Sequence, residues 1–571
     1  MQPKNFESRI QDLVYNVDVG IGLKLIKGAL FIFATLALLT LYTASEFWGL
    51  KDAEAMDQAQ IARQLMADGT FSTKYIRPAA VWLFEQNGVD ARTIMLRQPD
   101  IVHPPVYPWI LSKTFGLIGD SFSPAKIVRS FPPEQWAIIP LCHLFTLLTG
   151  MMLYLTARRF FERRIAVLGV SLFFLSDTVW ATSISGTSLP LAGLLTMIAV
   201  YATLAAADGF NAPERRHTWL YGYIFAILAC ALLTLTRYAA SVVVVGMAIV
   251  LAMMVPRNGW KLGLGLLGAV LVLCAPWFIR NLQVSGHLFG LTPFLALNGM
   301  DPGVTLSFER AVAPVTEGWQ HRLQVQWVSN LRTFYDTALP MAGNGLLTAL
   351  FLTTFFFRFN RPHVHTLRMG ILAAMILLFI VGGFFGENTM RLFSIFWPVA
   401  ILYGLAFFHL LLDRLQLTLP VYRTGLLALL VTVTTLPLFL TLLPPRVGYP
   451  YPPYYPSYTT LITQMLNEDE LLCTDMPWAT AWYGDRSSIL LPASVEEFYK
   501  INDLKKRVSG IYFTTLTRDL PYVRTLSTGA YSSWYPIFRE RVPVDFPLTE
   551  AFFLSNRDQL FLTDRPRWDR R

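Results

Sequence analysis

The chain has 571 residues, 54% of them hydrophobic and only 15% charged, with a formal net charge of +9. A soluble globular protein carries about 25% charged residues, so this composition excludes a soluble multidomain protein as well as collagen-like and disordered chains. Three of the four cysteines (Cys142, Cys230 and Cys274) lie inside apolar runs and none forms a Cys-x-x-Cys, which excludes a disulfide scaffold.

In chain order, Phe6, Ile10, Leu13, Val14 and Val17 come first, at helical spacing. They predict an interfacial amphipathic helix within residues 1–28, with a plain cytoplasmic tail as the alternative. No cleavable signal is expected there, since mixed residues precede the first apolar run and no small-residue cleavage site follows it. Apolar runs long enough to span a bilayer then recur near 29–47, 137–156, 165–183, 188–207, 219–236, 239–256, 261–279, 341–358, 369–385, 393–412 and 424–443. The expectation is a polytopic α-helical membrane protein with about 11 spans. Alternate connections hold Lys24 and Lys27; Arg158, Arg159, Arg163 and Arg164; Arg215 and Arg216; Arg257 and Lys261; Arg358, Arg361 and Arg368; Arg414 and Arg423. The positive-inside rule makes that set cytoplasmic. The N-terminus is then inside, and 48–136, 280–340 and 444–571 are outside. Much of the net charge is thus a topology signal, and nucleic-acid binding loses its main support. The absence of any Asn-x-Ser/Thr sequon fits a bacterial inner membrane better than a eukaryotic secretory route. No internal repeat is visible, so an inverted-repeat transporter lacks its usual trace.

After a turn-rich aromatic stretch, GYPYPPYYPSY at 448–458, the composition changes to that of a soluble unit. Strands are predicted at 470–475, 487–492 and 509–515 and a helix at 495–506. The expected organisation is a transmembrane module over 29–443 and a small C-terminal α/β domain over 444–571, periplasmic by sidedness. It resembles half of a doubly wound fold, but no glycine-rich phosphate loop follows its strands, so no nucleotide is assigned.

The richest segment follows the first span: LKDAEAMDQAQIARQLMADGTFSTKYIRP, residues 50–78. Asp52 as N-cap, an apolar stripe of Met56, Ala59, Ala62, Leu65 and Met66, and Gly69 as stop predict a helix over 53–67. Glu54 and Asp57, three apart, share one of its faces near the membrane surface. A carboxylate there suits a general base on an acceptor hydroxyl; the alternative is that both merely complement the helix dipole. His103, followed by two prolines in IVHPPVYPW, sits at a rigid turn and is either a phosphate contact or a structural residue.

A first span, an acidic helix ending Ala59-x-Ile61-Ala62-Arg63, a glycine and a turn reading His103-Pro-Pro-x-Tyr107-x-Trp109 together resemble the membrane glycosyltransferases with the type C fold. Within these the chain looks most like the branch of protein O-mannosyltransferases and lipid A aminoarabinose transferases (glycosyltransferase family 39). The resemblance covers about residues 25–443. It implies an inverting transferase whose donor is a polyprenyl-phosphate-linked sugar, with chemistry at the periplasmic face and a lipid, glycan or protein acceptor. The family's catalytic acid, counted back from residues 61–63, falls on Glu54, with Asp57 as its helper. Two departures stand out. The family's usual Lys before Pro-Pro is His103 here. The family's acid between the third and fourth spans is replaced by SISGTSLP (183–190), with Thr187 and Ser188 in its place. A divalent metal therefore lacks a ligand it would be expected to have, and the sequence leaves metal dependence open.

A departing phosphate needs positive charge where negative charge develops. Arg237, Arg280 and Arg391 stand at outside ends of spans, against the charge bias, and the family has basic residues at comparable positions. Buried charges at such places usually face a cavity or a partner. The alternative is interfacial snorkelling, with Glu387 pairing Arg391. Arg77 and Lys74 are further candidates. The rival functions are a lipid or solute transporter, which binds through the same charges, and a non-catalytic envelope assembly protein. A Glu54→Gln change separates them, since it abolishes turnover only in a transferase.

Overall fold

The computed structural model describes residues 21–119, 131–212, 216–297, 308–312, 319–335, 345–357, 359, 362–385, 387–416, 419–443, 456–514, 532–538, 541–554 and 559–568. The expected interfacial helix up to residue 20 and the aromatic stretch up to residue 455 lie outside them. Among the described residues, seven helices are long and apolar enough to cross a membrane: Gly22–Glu46, Glu134–Phe160, Leu189–Asn211, Gly259–Ser285, His363–Phe385, Arg391–Arg414 and Pro420–Leu442. The pair Arg163–Phe174 and Asp177–Ser183, bent by 58°, is long and apolar enough only when taken together, as a broken span or a re-entrant loop. The remaining three expected runs fall on shorter apolar helices, Trp219–Thr234, Tyr238–Met254 and Gly345–Phe356. Over its described residues, each of the eleven runs thus falls on apolar helix. Along the chain the basic connections and the long loops alternate between the ends of these helices. Helices approach closely where side chains vanish: a Cβ on Gly246 or Gly370 would stand 2.6 Å from the other's carbonyl oxygen, the small-residue contact that membrane helices favour.

Beyond the first span (α1, Ile21–Glu46) comes the loop helix α2, Ala53–Asp68. Asp52 occupies its N-cap position and Gly69 closes it in the left-handed region (φ 74°), with its N–H on the Leu65 carbonyl. Asp52 makes no side-chain cap, however; its carboxylate is used elsewhere. The predicted stripe understates the burial of α2. Asp57, Gln58, Gln60 and Gln64 are buried beside Met56, Ala59 and Ala62, while Met66 is exposed. The reason is that α2 packs between two elements, helix α3 (Val106–Ile118) of the same loop and helix α4 (Pro477–Gly484) of the C-terminal unit.

The strands are β1 (Ser72–Thr73), β2 (Tyr75–Ile76), β3 (Gln98–Pro99), β4 (Leu471–Thr474), β5 (Ser488–Leu490), β6 (Val508–Phe513), β7 (Glu550–Phe553) and β8 (Leu560–Thr563). β1 and β3 form a small antiparallel pair within the loop. The C-terminal sheet runs β2-β5-β4-β6-β8-β7. Its first four strands are parallel and its last two antiparallel, so the expected α/β sheet is present. Its edge strand β2, though, comes from the loop after the first span, about four hundred residues away, and pairs Tyr75 with Ser488 and Ile76 with Ile489.

This shared sheet fastens the C-terminal unit to the loop. Asp485 meets Lys74 at 2.9 Å and Arg63 at 3.4 Å. Below, the buried carboxylate of Glu134 accepts from Trp482 Nε1 (2.8 Å) and from the Leu50 N–H (3.2 Å), while the Trp482 ring packs edge-on against Phe131, 5.0 Å between centroids. A buried acid with both oxygens engaged fixes orientation as well as contact.

Candidate active site

At the helix ends opposite the basic connections lies a cavity of about 280 Å³, lined by the first turns of α2, the turn after Ile101, the break after the Trp219–Thr234 helix, Glu309 and Trp478. Its size is close to the lower end of small-molecule pockets, roughly 300–1,000 Å³.

The Trp219–Thr234 helix ends before Arg237, which is extended (φ −149°) and precedes a single 3-10 turn, Tyr238–Ser241. That conformation turns the guanidinium back into the cavity. Its Nη2 donates to Glu54 Oε1 at 2.5 Å and its Nε to Ser188 Oγ at 2.8 Å. Ser188 is therefore a neutral partner of the Arg237 cation. Glu54 also accepts from Gln58 Nε2 at 3.0 Å. One turn earlier, Asp52 takes Arg391 Nη1 on both oxygens, at 2.8 and 3.0 Å. Burial raises the Asp52 carboxyl above its ordinary value, with Arg391 opposing that shift.

Asp57, one turn along α2, belongs to a deeper network. Its Oδ2 receives Arg77 Nη2 at 2.5 Å and its Oδ1 receives the Thr73 hydroxyl at 3.1 Å. His103 Nδ1 lies 3.6 Å from Asp57 and 3.4 Å from Asp100. Asp100 sets the turn: its Oδ2 accepts the N–H groups of Val102 (3.2 Å) and His103 (2.7 Å). Burial disfavours the imidazolium, but the charges of Asp100 and Asp57 outweigh it and hold the His103 pKa above the usual histidine value. The Asp100 carboxyl is held below its usual range: burial pushes it up, and His103 and Arg77 more than reverse that. His103 is thus held toward its cationic form.

Asp57, Asp100 and His103 each offer a ligand atom within 4.8 Å of the others, so we tested them as a metal site. They do not fit one. Arg77 Nη2 sits on Asp57 at ion-pair distance, and burial, though it disfavours the cation, is outweighed by the surrounding carboxylates, which keep Arg77 charged. The position a divalent ion needs between these acids is held by a permanent guanidinium.

Of the residues singled out by sequence, Glu54, Asp57, Arg77, His103 and Arg237 all line the one cavity, and Arg391 reaches its rim through Asp52, next to the lining residues Thr389 and Leu392. Arg280 goes elsewhere. It donates to the carbonyls of Asp100 (2.5 Å) and Phe71 (3.3 Å) and stacks over Trp277 (4.9 Å). It props the loop that carries His103 without lining the cavity. Lys74 turns to Asp485. Sequence reading missed Asp52 as an ion-pair partner, Asp100, Gln58, Tyr75, Glu309 and Trp478. For Asp100 a signal existed, since an Asp three residues before a His-Pro-Pro favours a side-chain turn onto the backbone.

Residues 102–279 match the family model of dolichyl-phosphate-mannose-protein mannosyltransferases. Among solved structures the chain is similar to ArnT of Cupriavidus metallidurans bound to undecaprenyl phosphate, with 13% identity over 94% of this chain and 98% of that one and a TM-score of 0.52. It is also similar to an oligosaccharyltransferase of Archaeoglobus fulgidus tethered with an acceptor peptide (13%, 94% and 74%, TM-score 0.52). The oligosaccharyltransferase AglB of the same organism, in complex with an inhibitory peptide and a dolichol-phosphate, matches alike (12%, 94% and 75%, TM-score 0.51). A search of curated protein sequences found no match. The expected type C glycosyltransferase fold is therefore present, in a multi-span membrane protein.

Proposed function

We propose that this type C fold protein is a glycosyltransferase that moves a sugar from a polyprenyl-phosphate donor to an acceptor hydroxyl at the periplasmic face of a bacterial inner membrane. The observation that carries the reading is the Glu54–Arg237 pair, 2.5 Å apart in a cavity at the helix ends opposite the basic connections. A carboxylate and a guanidinium side by side supply the two things the reaction needs, a base for the incoming hydroxyl and a counter-charge for the outgoing phosphate.

In this reading the donor phosphate lies against Arg237 and Arg391, with the prenyl chain along the helices below. Arg77, joined by His103 when it is protonated, adds positive potential from the other side of the cavity. Glu54 takes the proton of the acceptor hydroxyl as its oxygen bonds to the anomeric carbon. The bond from that carbon to the phosphate oxygen breaks, and its electron pair leaves with the polyprenyl phosphate. One displacement inverts the anomeric configuration. Asp57, tied to Arg77 and Thr73, acts as a positioning residue that holds the α2 face rather than as the base. The unit over residues 444–571, fastened beside the cavity, borders the path by which a lipid, glycan or protein acceptor arrives. No step passes through a metal.

The test is donor consumption in nanodiscs, followed by mass spectrometry on a panel of polyprenyl-phosphate sugars with membrane extract as acceptor. Wild type should consume one donor and folded Glu54→Gln should not. Equal consumption by both moves the base elsewhere, and no consumption by wild type removes the transferase reading in favour of transport or assembly.

A further inference from the structure

Tyr75, Glu309 and Trp478, on the wall of the cavity beside Arg77, take no part in the displacement above. Trp478 opens helix α4, whose neighbouring residues Pro477, Ala479, Thr480, Ala481 and Trp482 are buried; its own indole is only half-buried and lines the cavity. It meets Tyr75 edge-on, 6.0 Å between centroids. Tyr75 is held in turn from two sides: its hydroxyl donates to Glu309 at 3.2 Å, and the Arg77 guanidinium lies 3.8 Å from its ring centroid. Across the same cavity, Gln58 Oε1 is buried without a hydrogen-bond partner, and Arg77 Nε and Nη1, also buried, face the carboxylates of Glu309 and Asp100 at 3.8 and 4.0 Å, beyond hydrogen-bond reach. Buried polar atoms left without a hydrogen bond are costly, and proteins keep few of them without a reason. Here one acceptor and two donors without a hydrogen bond belong to residues that line one small cavity, beside a half-buried aromatic ring.

We propose that Gln58, Arg77, Tyr75, Glu309 and Trp478 form a monosaccharide subsite. A pyranose ring presents hydroxyls that both donate and accept, which meets Gln58 and Arg77, and an apolar C–H face, which stacks on an aromatic ring. The C-terminal unit thereby supplies part of the sugar site through Trp478, and the sheet it shares with β2 fixes Trp478 relative to Tyr75. The proposal rests on the transferase reading. The ring belongs either to the donor or to the acceptor, and the chemistry is the same for both.

The experiment compares full-length wild type, Trp478→Phe and Trp478→Leu in nanodiscs. Leu keeps apolar bulk and loses the π face; Phe keeps both. Two readouts are taken: thermal stabilisation by undecaprenyl phosphate, which carries no sugar, and KM for the donor found above and for its acceptor. The expected result is a rise of about tenfold or more in one KM for Trp478→Leu, with Phe near wild type and stabilisation by undecaprenyl phosphate unchanged. A rise in donor KM assigns the ring to the donor, and a rise in acceptor KM to the acceptor. Should Trp478→Leu not fold, Gln58→Leu is read the same way and should raise the KM of a sugar-bearing substrate. Leu and Phe variants alike at wild-type KM would overturn the subsite while leaving the transferase intact, as would loss of undecaprenyl phosphate binding in step with KM. Wild type that consumes no donor removes the transferase and the subsite together.

Discussion

The ion pair between Glu54 and Arg237 makes a quantitative claim. Its side chains are only 18% and 11% exposed, so the pair is largely withdrawn from water. Unit charges about 4 Å apart at an effective dielectric near 20 attract by about 4 kcal/mol, and removing one partner of a buried pair costs about 3–5 kcal/mol; residual exposure makes this an upper range. Loss of a general base typically lowers rate by about 10²–10⁴, which is about 2.7–5.4 kcal/mol of barrier. Loss of one charge-stabilising donor lowers it by about 10²–10³. Independent effects would multiply to about 10⁴–10⁷. If the two residues act as a unit, the double variant Glu54→Gln/Arg237→Gln falls little below the worse single one. Its melting temperature should recover part of what Arg237→Gln loses, because no carboxylate is left stranded. Initial rates of donor loss and thermal unfolding of the four proteins close the cycle. A Glu54→Gln enzyme within a few-fold of wild-type kcat would refute the role of Glu54, and fully multiplicative rates with additive stabilities would refute the coupling.

Other consequences are simpler to read. The raised pKa of His103 means that its contribution to stability is fully present below about pH 6.5, the ordinary histidine value, and is lost as pH rises through the raised one. Asp100, with its pKa lowered, contributes fully above about pH 3.9 and loses its contribution as pH falls through the depressed value. The melting-temperature gap between wild type and His103→Gln should therefore shrink on the alkaline side, and a constant gap from pH 6 to 9 would contradict the network. Because Arg77 holds the place between the acids, donor turnover should survive dialysis against EDTA; loss restored by a divalent ion would overturn that assignment. Gly290 has φ +58°, and a Cβ there would strike the Ile101 carbonyl, two residues before His103. Gly290→Ala should lower stability and turnover together, as seen by unfolding and rate, whereas an exposed control such as Gly69→Asn should be mild. Glu134→Ala removes the bonds that the Trp482 indole N–H and the Leu50 N–H donate to it and should destabilise by about 1–3 kcal/mol per lost bond, measured by thermal unfolding.

The spans were legible because each is a local property: about twenty apolar residues in a row must cross a bilayer or be buried. Alternating charge at their ends is just as local. The C-terminal strands at 471–474, 488–490 and 508–513 announced themselves as short apolar runs for the same reason. The edge strand Tyr75–Ile76 did not. Two residues have no periodicity, and what makes them a strand is the hydrogen-bonding edge of β5, more than four hundred positions further on. Burial of α2 on nearly all sides was hidden likewise, because the partner that covers its polar-looking face, helix Pro477–Gly484, belongs to a region that composition alone sets apart.

Within the site, the same divide separates residue types from their pairings. An Arg at the end of an apolar run is conspicuous in any of three places, and sequence treats Arg237, Arg280 and Arg391 alike. What distinguishes them is the backbone each can reach. Arg237 follows a break that turns it inward to Glu54. Arg391 begins a 3-10 turn and finds Asp52, 339 positions earlier. Arg280 sits in an unbroken helical stretch and meets the carbonyls of Asp100 and Phe71. The two residues that a cap rule and a dipole rule would explain as helix punctuation, Asp52 and Glu54, are the two whose carboxylates leave the helix to meet those cations. Local rules identify which groups are charged and near the membrane surface. Which of them face one another follows from where the helices break, and a break such as Leu235-Thr236-Arg237 is written in residues that look like a continuing span until the cation at its end needs a partner.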